Sequence, residues 1–438
     1  MRLKNSAMLS SFALSGQVLT LLQLALALIA GLMMSRLAKL INLPAVTSYL
    51  VAGILIGPCV LGLLGIEGLG FTSFEEVSGY SIISNVALGF IAFSIGNEFR
   101  LSDLKKIGKQ AVVVSIFEAV TATILVDIVM VAGHFLFWGD TMPISSCLTL
   151  GAIAAATAPA ATLMVVRQYK AQGPVTSILL PIVALDDAIG LMIFAVSFGA
   201  AKTIASGSLD VLSIVLNPLI EIVGSLVLGG LMGWLFSECE KLFHSRSKRI
   251  AISVTFVLLT VAISMLKFEI GPVKIGFSTL LVCMMLGTVF CNICDFSEEL
   301  MRRCERWATP VLVLFFVLSG AELNLFVFSS GIVVAIGIVY IITRAAGKML
   351  GATAGSLIMK TEPSVVKYLG VTLLPQAGVA LGMSLQAKVL GGDGELIRNI
   401  VLMGVLIYEL FGPSLTRLAL LKAGEIIPEN RVSSRGKT

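Results

Sequence analysis

The sequence predicts an all-α polytopic membrane protein with about 13 transmembrane helices, built as two inverted structural repeats. Of its 438 residues, 57% are apolar and only 13% are charged, whereas soluble globular proteins carry roughly 25% charged residues. The mean hydropathy is +0.99. Because one spanning helix uses about 20 apolar residues, the chain has room for roughly 12–14 spans. This composition excludes a water-soluble enzyme.

Thirteen apolar segments, bounded by charged residues or by Gly and Pro, define the expected spans. They cover 14–35, 43–64, 80–97, 111–137, 144–166, 174–200, 211–236, 250–266, 275–293, 308–328, 331–358, 365–387 and 397–416. The first segment is long enough to be a full span, so we expect no cleavable signal peptide.

The distribution of basic residues predicts the orientation. Of the 31 Lys and Arg residues, 22 lie in loops that follow odd-numbered spans or in the C-terminal tail, and only 7 lie on the other side. Basic residues accumulate on the cytoplasmic side of a membrane. We therefore expect an external N-terminus and a cytoplasmic C-terminus.

Two pairs of related segments indicate an internal repeat. Residues 96–101 (GNEFRL) close the third span and residues 320–325 (GAELNL) close the tenth, 224 positions later. Spans five and twelve both open with Leu-Gly and carry a mid-span proline, Pro159 and Pro375. Seven spans separate the matched elements, so the two halves cross the membrane in opposite senses. Such inverted repeats are typical of secondary transporters.

Charged residues within the spans mark the candidate functional site, since such groups are costly at this depth and are usually functional. Span six contains the adjacent pair Asp186 and Asp187, and span four contains Glu118. Span eleven contains Arg344 and Lys348, one helical turn apart. Arginine stays protonated, so Arg344 needs a buried partner, either Glu118 or Asp186. Lys348 either adds to this charge compensation or reaches towards the interface.

Spans five and twelve are expected to be broken helices. Their mid-span residues are Thr157, Ala158 and Pro159 in the fifth span, and Pro375, Gln376 and Gly378 in the twelfth. Proline frees a carbonyl from the helical hydrogen-bond ladder, and irregular backbone at this depth is tolerated where it is buried or lines a cavity. Freed carbonyls, Thr157 and an adjacent carboxylate would form a site for a small monovalent cation.

Paired buried carboxylates predict exchange chemistry. Asp186 and Asp187 would titrate as a coupled pair and would hold a proton or a metal cation, but not both. The alternative is a purely structural ion pair of the two acids with Arg344 and Lys348, combined with ordinary proline kinks. Glu98 and Glu322, which close their spans, are more simply explained as capping or interfacial groups.

Residues 150–195 resemble the monovalent cation:proton antiporter superfamily, in the paired-aspartate branch that includes bacterial and animal sodium/proton antiporters. The resemblance is carried by 157–159 (TAP) and 184–190 (ALDDAIG), with support from Glu118, Arg344 and 374–376 (LPQ). It implies crossed broken helices and elevator-type alternating access. It also implies that Asp187 is the main ion-binding carboxylate and that Asp186 pairs with Arg344.

The resemblance further implies a homodimer in the bacterial inner membrane with a scaffold and a mobile core. The scaffold would comprise 1–110 and 249–330, the core 111–200 and 331–421, with 201–248 as the linker span and 422–438 as a short cytoplasmic tail. The expected function is exchange of sodium or lithium, with potassium as a further option, for protons.

The competing hypothesis is a sodium-coupled symporter of an organic anion, against which the aspartate pair argues. A nucleotide-gated potassium efflux system would need a GxGxxG motif, and an ATP-driven pump a P-loop; the sequence has neither. We expect no cofactor, no nucleotide and no nucleic acid. The lone CxxC of Cys291 and Cys294 is too small a ligand set for a structural zinc site.

Overall fold

The computed structural model describes most of the chain, and this part is almost entirely helical. The described residues are 16–40, 45–66, 68–97, 99–101, 108–158, 162, 165–166, 169–205, 211–266, 268–270 and 273–426. Pro159 and Glu98 lie outside these ranges, as does the tail beyond 426.

Fourteen labelled helices account for the spans, and up to α12 each helix has the number of its predicted span. They are α1 (Gly16–Leu40), α2 (Ala45–Ile56), α3 (Ser81–Asn97), α4 (Lys109–Gly133), α5 (Ile144–Ala154), α6 (Pro174–Ala205), α7 (Val211–Lys241), α8 (Arg246–Ser264), α9 (Thr279–Ile293), α10 (Ser297–Ala321), α11 (Gly331–Ile358), α12 (Pro363–Thr372), α13 (Gly378–Gln386) and α14 (Gly392–Lys422).

Short elements connect these helices. They are the five-residue helix Phe74–Ser78, a π-helical turn at His134–Trp138, and 3-10 turns at Leu61–Leu64, Gly139–Thr141, Leu325–Ser329 and Ala387–Leu390. A small antiparallel hairpin, β1 (Phe268–Ile270) with β2 (Val273–Ile275), joins α8 to α9. The sequence did not predict this hairpin, because its two strands are only three residues long.

The all-α polytopic prediction is confirmed. Each of the thirteen predicted segments holds a helix in the described part of the chain, and eight of these are long and apolar enough to cross a membrane. One boundary differs clearly: α10 begins at Ser297, not near 308. Glu298 and Glu299 occupy its first turn, where acidic side chains stabilise a helix N-terminus, so the helix extends beyond the apolar segment.

The described residues fall into two compact units. The first contains the described part of residues 1–84 together with 310–326. Within it α2 lies directly against the end of α10, because a side chain at Gly53 would lie 1.9 Å from the Val317 carbonyl oxygen and one at Gly320 would lie 2.1 Å from that of Leu50. Small residues allow such close backbone contact between membrane helices.

The second unit contains 85–309 and the remaining described residues from 327 onwards. Here α3 packs on α9 in the same way: a side chain at Gly96 would lie 1.9 Å from the Met284 carbonyl oxygen, and one at Gly287 would lie 2.2 Å from that of Phe93. The repeat relates α2 to α9 and α3 to α10. The two contacts are therefore equivalent under the inverted repeat, as the 96–101 and 320–325 match predicts.

Candidate ion-binding site

A stripe of glycines on α11 brings the charged residues of α4 and α11 together. Gly351 leaves room for only the Glu118 backbone, since a Cβ there would lie 2.5 Å from the Glu118 Cα atom. Gly347 and Gly355 make similar approaches to Ala122 and Val114. Because all these residues are spaced by four, they lie on one face of each helix. This packing places Glu118 opposite the α11 residue Lys348.

The tightness of this contact gives a first testable prediction. We expect Gly351→Ala to lower the melting temperature of the purified protein, because the added methyl group must push α4 and α11 apart, and overpacking of this kind costs about 1–3 kcal/mol. Gly331→Ala is the matched control on the same helix, since its Cβ would meet no atom within 4 Å. Equal melting temperatures for both variants would contradict the proposed close packing.

Lys348 is the centre of the buried charge cluster. Its side chain is fully buried, and its ammonium nitrogen lies 2.9 and 2.8 Å from the two carboxylate oxygens of Glu118. The same nitrogen lies 3.3 Å from Asp186 Oδ2 and donates to Thr157 Oγ1 at 2.7 Å and to the Ala155 carbonyl at 2.5 Å. Lys348 thus compensates charge within the membrane, and the alternative that it reaches towards the interface is wrong.

Asp186 accepts hydrogen bonds from two hydroxyl groups besides its contact with Lys348. Ser115 on α4 donates to Oδ1 at 2.8 Å, and Thr157 donates to Oδ2 at 2.5 Å. Asp186, Ser115 and Thr157 are all buried. Ser115 was not predicted from the sequence, although it precedes Glu118 by three residues and so lies on the same helical face.

Arg344 does not pair with Glu118 or Asp186, contrary to the expectation from sequence. It is fully buried and donates to the carbonyl oxygens of Ala154 at 3.1 Å, Ala156 at 2.5 Å and Leu374 at 2.8 Å. Its guanidinium also lies over the Tyr408 ring, 4.5 Å from the centroid. The carbonyls at helix C-termini lack partners and carry partial negative charge. Arg344 therefore compensates the ends of α5 and α12, and the base that faces Asp186 is Lys348.

The interruptions of the fifth and twelfth spans meet directly. Beyond α5, the Ala158 amide donates to the Pro375 carbonyl at 2.8 Å, in the gap between α12 and α13. Gln376 is fully buried, and its amide nitrogen donates to the Ile153 carbonyl at 3.1 Å. Gly378 begins α13. These contacts form the crossed broken helices that the sequence predicts, within the part of span five that the structure describes.

Asp187 is one residue beyond Asp186 in α6, but its side chain lies outside the description. Its expected role as the main ion-binding carboxylate therefore rests on the resemblance. A further acidic residue of α4, Asp127, lies beside Gly151 of α5, where a Cβ would be 1.8 Å from the Asp127 Oδ1 atom.

A matching family model identifies the class of protein. The model described as "Sodium/hydrogen exchanger, transmembrane" matches residues 24–420. The chain belongs to this family, which confirms the resemblance seen in the sequence.

Two relatives and one solved structure agree with this assignment. The high-affinity Na(+)/H(+) antiporter NhaS3 of Synechocystis sp. is 24% identical over 378 residues, which cover 78% of this chain and 77% of the relative. The Na(+)/H(+) antiporter 1 of Methanocaldococcus jannaschii is 24% identical over 346 residues, 75% of each chain. The structure of the sodium proton antiporter MjNhaP1 from M. jannaschii at pH 8 is similar in fold, with a TM-score of 0.68 and 18% identity over 91% of this chain and 97% of that one.

Proposed function

We propose that this chain is a secondary active transporter that exchanges sodium or lithium, with potassium as the other candidate cation, for protons. The observation that carries the proposal is the buried trio of Lys348, Glu118 and Asp186. Because the helix-end carbonyls and the Tyr408 ring engage Arg344, the single positive charge of Lys348 faces two carboxylates. When both are ionised, the trio carries one excess negative charge.

An excess charge in this position favours the uptake of one positive ion. Burial of an uncompensated charge costs several kcal/mol, and either a proton or a metal cation removes that cost. A second positive ion would leave the trio with one excess positive charge, which is equally costly to bury. The charge of the trio therefore makes proton binding and cation binding mutually exclusive, which is the requirement for exchange.

In this proposal a cation takes over oxygen atoms that Lys348 now contacts. Lys348 contacts Asp186 Oδ2, Thr157 Oγ1 and the Ala155 carbonyl, and oxygen atoms of these types are the ligands that hard cations prefer. A cation among these atoms would repel the ammonium group, which keeps Glu118 as its counter-charge. Asp187, the next residue of α6, is not part of this charge count, and the resemblance implies that it also binds the ion.

Transport in this proposal is elevator-type alternating access. The mobile core comprises 111–200 and 331–421, which hold the trio and both interrupted helices, and moves against a scaffold of 1–110 and 249–330, with 201–248 between them. We further propose that the protein is a homodimer in the plasma membrane with its C-terminus in the cytoplasm, which agrees with the distribution of Lys and Arg residues.

The test is proton movement in proteoliposomes that contain a pH dye and an imposed pH gradient. Addition of sodium or lithium should dissipate the gradient, and the apparent KM for the cation should rise as the pH falls, by up to about tenfold per pH unit for one competing proton. Choline is the control for ionic strength. Potassium, added separately, tests the third cation.

Two results would contradict the proposal. The first is no response to any of the three cations between about pH 6 and 9, a range over which the concentration of the competing proton changes about a thousandfold. The second is a cation KM that does not change with pH, which would mean that proton and cation do not compete. The organic-anion symporter would then be tested next, with the same vesicles and a set of carboxylate substrates.

A further inference from the structure

The chain forms a glycine turn immediately after α14 that returns it to another helix. Gly424 has a positive φ of 77°, and the Glu425 amide donates to the Leu420 carbonyl at 3.0 Å. This is the pattern of a Schellman motif, in which glycine at the position after the helix allows the left-handed conformation. The turn places Glu425 against the N-terminus of α6.

The Glu425 carboxylate satisfies the first amides of α6. Its two oxygens accept hydrogen bonds from the Val175 amide at 2.6 Å, the Thr176 amide at 2.8 Å and the Thr176 hydroxyl at 2.6 Å. Its own backbone carbonyl accepts from the Gln172 amide at 3.1 Å. Glu425 is only 5% exposed. A carboxylate is well suited to this position, because the N-terminus of a helix carries unpaired amides and partial positive charge.

The residues around Glu425 leave room for its side chain and pack against the same turn. Gly173 precedes α6, and a Cβ there would lie 2.4 Å from Glu425 Cγ, so a larger residue would displace the carboxylate. Val175 and Leu179 of α6 share an apolar cluster with Leu420 and Ile426. The end of α14 and the start of α6 are thus joined by buried polar and apolar contacts together.

The contact bears on the candidate ion site because α6 also carries Asp186. Asp186 lies eleven positions after Val175, or about 16 Å along a helix. Pro181 lies between them, within α6. Proline has no amide to donate, so the hydrogen-bond ladder is interrupted there. The backbone hydrogen bonds of α6 alone therefore do not set the direction of its first turns, and the contact with Glu425 contributes to it.

We propose that Glu425 is a positioning residue for cation binding: by holding the N-terminus of α6, it sets the placement of Asp186 and hence the affinity of the exchanger for its cation. This inference rests on the exchange function proposed above. It assigns Glu425 an effect on affinity, and not only on the stability of the fold.

The test compares cation titrations of Glu425→Gln and wild type in the same proteoliposome assay. The amide keeps the size of the side chain but brings an NH2 group towards the amides of Val175 and Thr176. We expect the apparent KM for sodium to rise about tenfold, because loss of a group that orients a metal ligand typically weakens binding by about 10- to 100-fold. The maximal rate per folded protein should change little. Glu425→Asp, which keeps the charge, should give an intermediate KM.

Glu238→Gln is the matched control. Glu238 on α7 contacts Lys241 at 2.6 Å, and its side chain is 44% exposed, so the same chemical change there should leave the KM at the wild-type value. An unchanged KM in Glu425→Gln, or a lower maximal rate at unchanged KM, would overturn the positioning role. No cation response in wild type would overturn the exchange function and this proposal with it.

A milder variant covers the case in which Glu425→Gln is not recovered as folded protein. Thr176→Val removes only one of the hydrogen bonds to the Glu425 carboxylate and preserves the shape of the side chain. We expect it to fold and to raise the KM in the same direction by a smaller factor. A folded Thr176→Val protein with wild-type KM would then count against the proposal.

Discussion

Asp186→Asn is expected to reduce cation-driven proton movement to the level of protein-free liposomes. The asparagine can still accept a hydrogen bond from Ser115 or Thr157, but it carries no negative charge. Lys348 then faces Glu118 alone, so the cluster has no excess negative charge to attract a cation. The measurement is the initial rate of sodium-induced dye recovery at equal amounts of reconstituted protein.

Three comparisons make this result interpretable. Asp140→Asn, which makes the same change at an exposed position, should transport as well as wild type. Asp187→Asn tests the neighbouring carboxylate directly, and a loss there as well would indicate that both aspartates serve the ion. Wild-type rates in Asp186→Asn would show that the Asp186 charge is dispensable and would restrict the site to Asp187.

The sequence was sufficient to predict the fold and to single out three charged residues of the candidate site, although not Ser115. Hydrophobicity along the chain is a local property, so the spans could be located segment by segment. The inverted repeat followed from short sequence matches. The matched helices pack equivalently, α2 on α10 at Gly53 and Gly320 and α3 on α9 at Gly96 and Gly287. Glu118, Asp186 and Lys348 stood out because charges within apolar spans are rare.

The partners of those residues could not be predicted. Arg344 and Lys348 are one helical turn apart and lie at similar depth in the membrane. Their positions in the sequence therefore could not decide which of them faces the carboxylates. The decision depends on where the free carbonyls at the ends of α5 and α12 lie, and this is set by the crossing of two segments more than 200 residues apart. The planar guanidinium of Arg344 can donate to several carbonyls at once. Lys348 is then the base that pairs with Glu118 and Asp186.

The role of Glu425 was hidden for the same reason. It follows the last span, near the short tail, where a charged residue is ordinarily exposed. Its burial depends on a turn at Gly424 and on the absence of a side chain at Gly173, about 250 positions earlier. Neither glycine is distinctive in a chain that has 42 of them.

Lys348→Met is expected to be among the most destabilising single substitutions in the protein. Methionine has a similar length, so the packing is largely kept while the charge is lost. Glu118 and Asp186 then lie buried without their shared counter-charge. Removal of one partner from a buried ion pair typically costs about 3–5 kcal/mol. The measurement is the melting temperature of the purified protein in detergent. The control is Lys422→Met, the same substitution at an exposed position of α14.

The double variant Lys348→Met/Glu118→Gln separates loss of charge balance from loss of contacts. It removes one positive and one negative charge, so only Asp186 remains ionisable in the described trio. We expect the double variant to melt at a higher temperature than Lys348→Met, although it lacks more of the native hydrogen bonds. With Glu118→Gln measured alone as well, the sum of the two single effects exceeds the effect of the double variant, which is the signature of two residues that interact directly. A double variant that is less stable than Lys348→Met would mean that the trio stabilises the fold through its hydrogen bonds. Excess charge in the trio would then no longer explain a competition between proton and cation.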